Sequence, residues 1–369
     1  MLVISTQQRS TARLREKTCS AREKSPFTSC LIAAFKLKIF IFSLHAYYLM
    51  IIKLTTLIQE IQSDIRTIEE NIELYRESNF NRRADTIDFI DFHIIGRIEE
   101  LLLQTGVDEN LQQLKQDAED IKHKLEEIDI HLFDQLREKI RVGDYTGPSF
   151  TKMVVEYLRY DITADESTNE IGYDNLDIFI NGLLSTGNIP EPLMEPEPEM
   201  VFYQKTPARI VFQLAAAALI KPTDVFVDVG AGLGQVNMLL HLISGALSTG
   251  IEWEPAYCDY ASVCAAALNL TNVAFINTDA RKADFSTGTI FFMYTPFLGN
   301  MMQDVLNILR QESQKRAIKI FTYGPCTSQV AAQDWLLCIN GEVNNPYRLC
   351  EFRSPLKNNI CPSQKYLQP

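Results

Sequence analysis

Residues 225–235 read Val-Phe-Val-Asp-Val-Gly-Ala-Gly-Leu-Gly-Gln, and this stretch decides the fold. Val225 to Val229 surround one carboxylate, Asp228, with β-branched and aromatic residues, the composition of a short strand covered on both faces. The strand runs directly into glycines at 230, 232 and 234. Gly230 permits a sharp exit from the strand, Gly232 removes a side chain that would obstruct a ligand, and Gly234 lets the next helix begin close to the sheet. Glycines also make ordinary turns, so the neighbouring strands must show whether this one serves a ligand.

From Val201 onward, short apolar runs alternate with helical patterns, as in a parallel sheet wound with helices. The pattern predicts strands at 225–230, 249–253, 273–279, 289–294, 317–323, 335–339 and 348–353, with helices over 234–244, 256–267 and 300–312. In open α/β sheets ligands bind beyond the carboxyl ends of the strands. The second strand ends in Gly250-Ile251-Glu252, which places a carboxylate at that edge, able to accept both ribose hydroxyl protons. Glu254 reads as a bystander. The third ends in Asn277-Thr278-Asp279-Ala280, where Asp279 is suited to accept from an adenine amino group. A glycine turn and two carboxylates from successive strand ends describe an adenosine site.

Upstream the texture is helical. Leu54, Ile58, Ile61, Ile65, Ile68, Ile72 and Tyr75 form a heptad seam, and Leu111, Leu114, Ala118, Ile121, Leu125, Ile128 and Leu132 form a second after a break near Gly106. Self-association or a helical hairpin would bury them. Residues 85–103 and 150–160 also read as helical. Ile189 to Met200 carries four prolines and four glutamates, which predicts an extended linker or exposed loop. The expected organisation is an N-terminal segment (1–52), a helical domain (53–188), the linker (189–200), a seven-strand Rossmann-like α/β domain (201–356) and a tail (357–369).

The net charge of -12 is uneven: residues 1–38 carry eight Lys or Arg against Glu16 and Glu23, leaving -18 on the remainder. An acidic body repels a phosphate backbone, so nucleic acid is not a favoured partner and a protein substrate is slightly favoured. Eight scattered cysteines without a Cys-x-x-Cys pair read as reduced thiols, and five histidines without metal spacing give no reason to propose a metal. A cytoplasmic protein is expected. The apolar run Ile39–Ile52 follows basic residues, in the layout of a signal or membrane anchor. Fourteen helical residues reach only about 21 Å against a hydrocarbon core of roughly 30 Å. An alternative places the true start at Met50.

Asp228-Val-Gly-Ala-Gly-Leu-Gly-Gln235 followed by Gly250-Ile251-Glu252 resembles the class I, seven-strand S-adenosylmethionine-dependent methyltransferases. Within them it is most similar to the disruptor-of-telomeric-silencing family, the histone-lysine methyltransferases that lack a SET domain. The resemblance covers about 150 residues and includes Gln235-Val236 after the glycine turn. It implies S-adenosylmethionine as cofactor. It also implies that Tyr203-Gln-Lys-Thr-Pro207, with Tyr203 and Thr206, helps enclose that cofactor, and that Gln235 joins Asp228, Gly230, Gly232, Gly234, Glu252 and Asp279 around it. After the fourth strand the chain departs from the family: Phe291-Phe-Met-Tyr-Thr-Pro-Phe297 lacks the family's asparagine-containing motif. Tyr294, Thr295, Pro296 and Phe297 are nevertheless where a methyl acceptor would sit, with oxygens to hold its protons and Phe297 to exclude water. Two other readings stay open: a nicotinamide- or flavin-dependent oxidoreductase, whose usual Gly-x-Gly-x-x-Gly spacing differs from the Gly-x-Gly-x-Gly found here, and a catalytically inactive interaction protein working through its heptads.

Overall fold

A computed structural model describes residues 26–106, 108–159, 172–221 and 223–355; the expected tail lies outside them. The chain divides into two compact units, Met1–Ser63 and Asp64–Pro369. Helix α1 runs from Pro26 to Glu69, and its apolar stretch is exposed, including the consecutive Phe40, Ile41 and Phe42. By length and composition alone, Phe40–Glu69 suffices to cross a membrane.

The second unit holds a seven-strand sheet: β1 Val225–Val229, β2 Leu247–Glu252, β3 Val273–Asn277, β4 Ile290–Tyr294, β5 Lys319–Tyr323, β6 Leu337–Asn340 and β7 Cys350–Arg353. Their order is β3-β2-β1-β4-β5-β7-β6, with β7 antiparallel to β5 and β6 and the other pairs parallel. The fold is thus α/β with a helical N-terminal region, and all seven expected strands are present, each within three residues of its expected limits. Helices α8 (Gln235–Ser244), α9 (Pro255–Ala267) and α10 (Gly299–Ser313) also fall where expected.

The central strands β1, β4 and β5 are mostly apolar because both of their faces are covered, whereas β6 at the sheet edge is exposed. Phe226, Ile290, Phe292 and Phe321 enter one core, whereas Val227, Val229, Phe291, Met293 and Ile320 enter the other, with α10 and α11 (Thr327–Ala331). Successive residues therefore serve opposite faces, as strand geometry requires.

The first core corrects the expected domain division. It is continuous from Phe80 in α2 (Phe80–Phe89), through Leu132 and Leu136 in α4 (Glu109–Arg141), Phe150 in α5 (Pro148–Leu158) and Phe179 in α6 (Asn175–Leu184), to Val211 in α7 (Ala208–Ala218) and Leu239 in α8. Residues 64–188 and 201–355 thus belong to one unit rather than two. Asp177 stitches them further, accepting from Ala208 N at 2.8 Å while completing a capping box at the start of α6. Helices α6 and α7 were not expected. Leu176, Asp177, Phe179, Ile180, Leu183 and Leu184 of α6 are all buried, and a helix covered on most sides shows no clear amphipathic period.

The second heptad seam is buried within the chain: Leu111, Leu114, Ala118, Ile121, Leu125 and Leu132 all face inward. Its burial therefore needs no second copy. Ile128 is only half-buried, while Asp129 beside it is buried and receives Arg83 Nε at 2.7 Å. Arg83 is fully buried and also donates to the carbonyls of Leu74 and Arg76 at 2.9 and 2.7 Å. An interior guanidinium demands such a partner set. The first seam stops early: α1 ends at Glu69, Asn71 caps a new 3-10 turn over Ile72–Tyr75, and Leu74 is buried where Ile72 is exposed. The expected helical region 85–103 is present within an uninterrupted helical stretch from Phe80 to Thr105, in which a π-helical turn over Ile90–Ile95 separates α2 from α3 (Gly96–Thr105).

Candidate functional site

Strand β1 pairs with β2 on one side and β4 on the other, and the chain winds outward in both directions from there. Such a switch point opens a crevice between the loops that leave β1 and β4. Here these are the glycine turn and Tyr294–Phe297. A cavity lies at this edge, lined by Tyr203, Gly230, Gly232, Glu252, Asp279, Tyr294, Thr295, Pro296 and Phe297 among others. The nine residues, assigned from four strand ends and a flanking segment, are thus brought together.

The glycine turn is sterically required. Gly230 has φ +86°, and a Cβ there would stand 2.4 Å from the Pro296 side chain. A Cβ on Gly234 would meet Phe275 at 2.4 Å and Ala261 at 2.7 Å, so α8 does begin tight against the sheet and α9. At Gly232 the space that the sequence reserves for a ligand is bounded by the Tyr203 ring, 2.2 Å from where a Cβ would be. Gly234, Gln235, Thr206 and Asp228 do not line the cavity. Gln235 instead donates to the Thr206 carbonyl at 3.2 Å, tying the segment before α7 to the start of α8. Asp228 is buried behind the turn; burial, reinforced by the Glu252 charge, pushes its carboxyl well above the usual range.

Glu252 is 9% exposed, yet it lines the cavity. It accepts from Gly232 N at 2.6 Å and Glu254 N at 2.8 Å, which fixes its plane. Burial raises its pKa, and these backbone donors partly offset the rise. An ionised carboxylate offers about four acceptor positions, so acceptor capacity remains for a ligand. Asp279 accepts from Arg281 N at 2.8 Å and from the Arg281 guanidinium at 2.7 Å, which holds its carboxyl below the usual range.

Tyr294 Oη donates to Gln204 Oε1 at 3.0 Å, which leaves its lone pairs as acceptors; burial pushes the phenol up, so it stays neutral. Thr295 sits at φ +42°, a left-handed conformation that costs a β-branched residue about 1–3 kcal/mol. Its Oγ1 compensates, donating to Tyr323 O at 3.3 Å and accepting from Cys326 N at 3.2 Å. Phe297 is buried in the second core and also forms one wall of the cavity.

The segment 189–200 is the main functional feature that the sequence concealed. It is exposed along much of its length, as expected, but it is no free linker. Pro192, Met194, Pro196 and Met200 line the cavity. Met194 N donates to Glu254 Oε2 at 2.8 Å, so Glu254 anchors this strap rather than standing by. Glu197 pairs with Arg281 at 2.7 Å, and Met200 forms an antiparallel bridge with Phe297. Proline density signals an extended backbone but carries no information about what that backbone crosses.

No family model matches the chain, and no curated protein does. Solved structures do match, among them the following at low identity. An RNA methyltransferase from Salinibacter ruber, in complex with S-adenosyl-L-homocysteine, is 23% identical over 41% of this chain and 94% of that one, with a TM-score of 0.34. A SAM-dependent methyltransferase from Geobacter sulfurreducens, with the same ligand, is 20% identical over 30% of this chain and 46% of its own length, with a TM-score of 0.26. The precorrin-6y C5,15-methyltransferase from Geobacter metallireducens is 13% identical over 44% of this chain and 93% of that chain, with a TM-score of 0.30.

Proposed function

We propose that this chain is an S-adenosylmethionine-dependent methyltransferase. The observation that carries the reading is the meeting, at the β1/β4 switch point, of a glycine cradle, a carboxylate with acceptor capacity to spare and a strained loop. The residues fit the cofactor: without side chains of their own, Gly230 and Gly232 let the Pro296 and Tyr203 rings close onto the turn beside the cavity, Glu252 would hold the ribose hydroxyls, and Asp279 would meet the adenine amino group. When bound, S-adenosylmethionine supplies a methyl group already activated on a sulfonium.

The chain's own contribution is alignment and exclusion of water. Tyr294–Phe297 contains no carboxylate or imidazole, so this loop orients an acceptor rather than deprotonating it. Tyr294 Oη would accept from an acceptor N–H or O–H, and Phe297 would keep water from the attacking lone pair. Within this activity, protein-lysine transfer is the narrower proposal; it rests on the sequence resemblance and on the acidic body, which suits a cationic substrate better than a polyanion. A dinucleotide oxidoreductase is less well supported, since its usual strand order is 3-2-1-4-5-6 and here an antiparallel β7 lies between β5 and β6. The test is incubation of protein, RNA and metabolite fractions with methyl-labelled cofactor, followed by mass spectrometry. Label in one fraction identifies the acceptor, whereas Trp253 fluorescence quenched by NAD and not by S-adenosylhomocysteine would reverse the assignment.

A further inference from the structure

Helix α10 begins directly after Tyr294–Phe297, and its N-cap residue, Leu298, offers no side-chain cap. The first amides of a helix need acceptors. Glu199, from the strap, supplies them: its carboxylate accepts from Asn300 N at 3.0 Å and Met301 N at 2.6 Å. These donors hold the carboxyl below the usual range, and the Arg281 charge adds to the effect. The main chain repeats the contact, since Leu298 N donates to Glu199 O at 2.9 Å and Val201 N to Pro296 O at 3.1 Å. Gly299 completes the fit at φ +61°, where a Cβ would stand 2.4 Å from Glu199 Oε1.

The proposed acceptor loop is therefore pinned at its middle by Thr295 and at its exit by a residue about a hundred positions upstream. Glu199 itself is not among the cavity-lining residues; it acts on residues that are. Two residues before it, Glu197 grips Arg281, which holds Asp279. One short strap thus reaches the carboxylate assigned to adenine through Arg281 and directly touches the loop assigned to the acceptor.

We propose that Glu199 is a positioning residue for methyl transfer: by capping α10 it fixes Pro296 and Phe297 against the cavity. The proposal rests on the methyltransferase reading. The experiment uses the full chain, ligand-free for titration and transfer and saturated with S-adenosylhomocysteine only for amide exchange, and compares the wild type with Glu199→Ala and Glu199→Gln. Amide hydrogen exchange, calorimetric affinity for S-adenosylhomocysteine and transfer from methyl-labelled S-adenosylmethionine to the labelled acceptor fraction are all measured.

The alanine variant is expected to exchange at least about tenfold faster at Asn300 and Met301, in keeping with loss of a charged cap. Transfer should fall at least about tenfold while affinity stays within about threefold. Glutamine, which keeps one acceptor oxygen, should restore part of both losses. Unchanged exchange at the two amides would overturn the proposal. So would faster exchange with normal transfer, or affinity falling in step with transfer, the mark of a merely structural role. A wild-type chain that binds no S-adenosylhomocysteine would instead remove the methyltransferase reading, and the exchange data would still decide whether Glu199 caps α10.

Discussion

A chain cut at Val201 should fail to fold, although the sequence pattern alone suggests that it would form a complete domain. The reason lies in α8. Residues Gln235 to Leu240 are six successive buried positions, and Leu242 is buried too; at 100° per residue they cover the whole circumference. The sheet covers one side of such a helix. The other side packs on α5, α6 and α7; the cut keeps α7 and removes α5 and α6. Val236, Met238, Leu239, Leu240 and Leu242 are its apolar buried residues, so two or three would be returned to water, at about 1.5–3 kcal/mol each. The loss, about 3–9 kcal/mol, is comparable with the roughly 5–15 kcal/mol that holds a typical domain together. The assay is a thermal melt followed by circular dichroism, with calorimetric titration of S-adenosylhomocysteine. The fragment should melt without cooperativity and bind no ligand, because the glycine turn leads into α8; a chain starting at Met50, which keeps the whole Asp64–Pro369 unit, should do both. A sigmoidal melt with intact affinity in the Val201 fragment would refute the continuous-core argument.

Glu252→Ala should weaken binding of S-adenosylhomocysteine at least about tenfold, since bonds to a charged group contribute about 1.5–3 kcal/mol; unchanged calorimetric affinity in a folded variant would remove the residue from the site. Because burial raises the pKa of Glu252, wild-type affinity should also fall as pH drops through that raised value, and Glu252→Gln should flatten the profile. Asp228 has a carboxyl pushed upward by burial, so its ionised form costs folded stability above the folded pKa and the cost disappears below the unfolded one. Asp228→Asn should therefore raise the melting temperature of ligand-free protein at pH 7, and the gain should vanish in acid; a pH-independent difference would contradict this sign. Phe297→Leu should lower transfer more than cofactor affinity, and equal losses would make Phe297 a purely structural residue. Residues Ile39–Ile52 should carry the full chain onto phosphatidylcholine vesicles in a flotation assay, and Ile41→Glu with Leu49→Glu should abolish flotation; equal flotation of both would place any membrane contact elsewhere.

The sheet was legible because each strand is short, apolar and bounded by turn residues, and because Gly230, Gly232 and Gly234 serve a local geometry that local sequence must encode. The cavity-facing residues followed from the same logic, since strand ends in a doubly wound sheet converge whatever lies between them. What stayed hidden was mostly long-range. Nothing near Glu199 marks it as the cap of a helix 100 residues later, and Glu254 looks idle until the strap is seen to donate to it. Helix α6 escaped because its apolar positions are nearly continuous, and the boundary at 189–200 misled because a proline-rich exposed segment looks the same whether it joins two domains or crosses one. Asp129 was masked by the more obvious Ile128, since a heptad reading has no means of anticipating a buried arginine.

The bonds from Asn300 and Met301 to Glu199 close loops of 101 and 102 residues. During synthesis at about 5–20 residues per second, the strap emerges some 5–20 s before the helix it caps. Contacts of such sequence separation form late, because loop closure must precede them. On the methyltransferase reading, the nascent chain therefore carries the glycine turn and Glu252 before it possesses the Glu199-capped loop, and the proposed site is complete only once the last of its parts has been released.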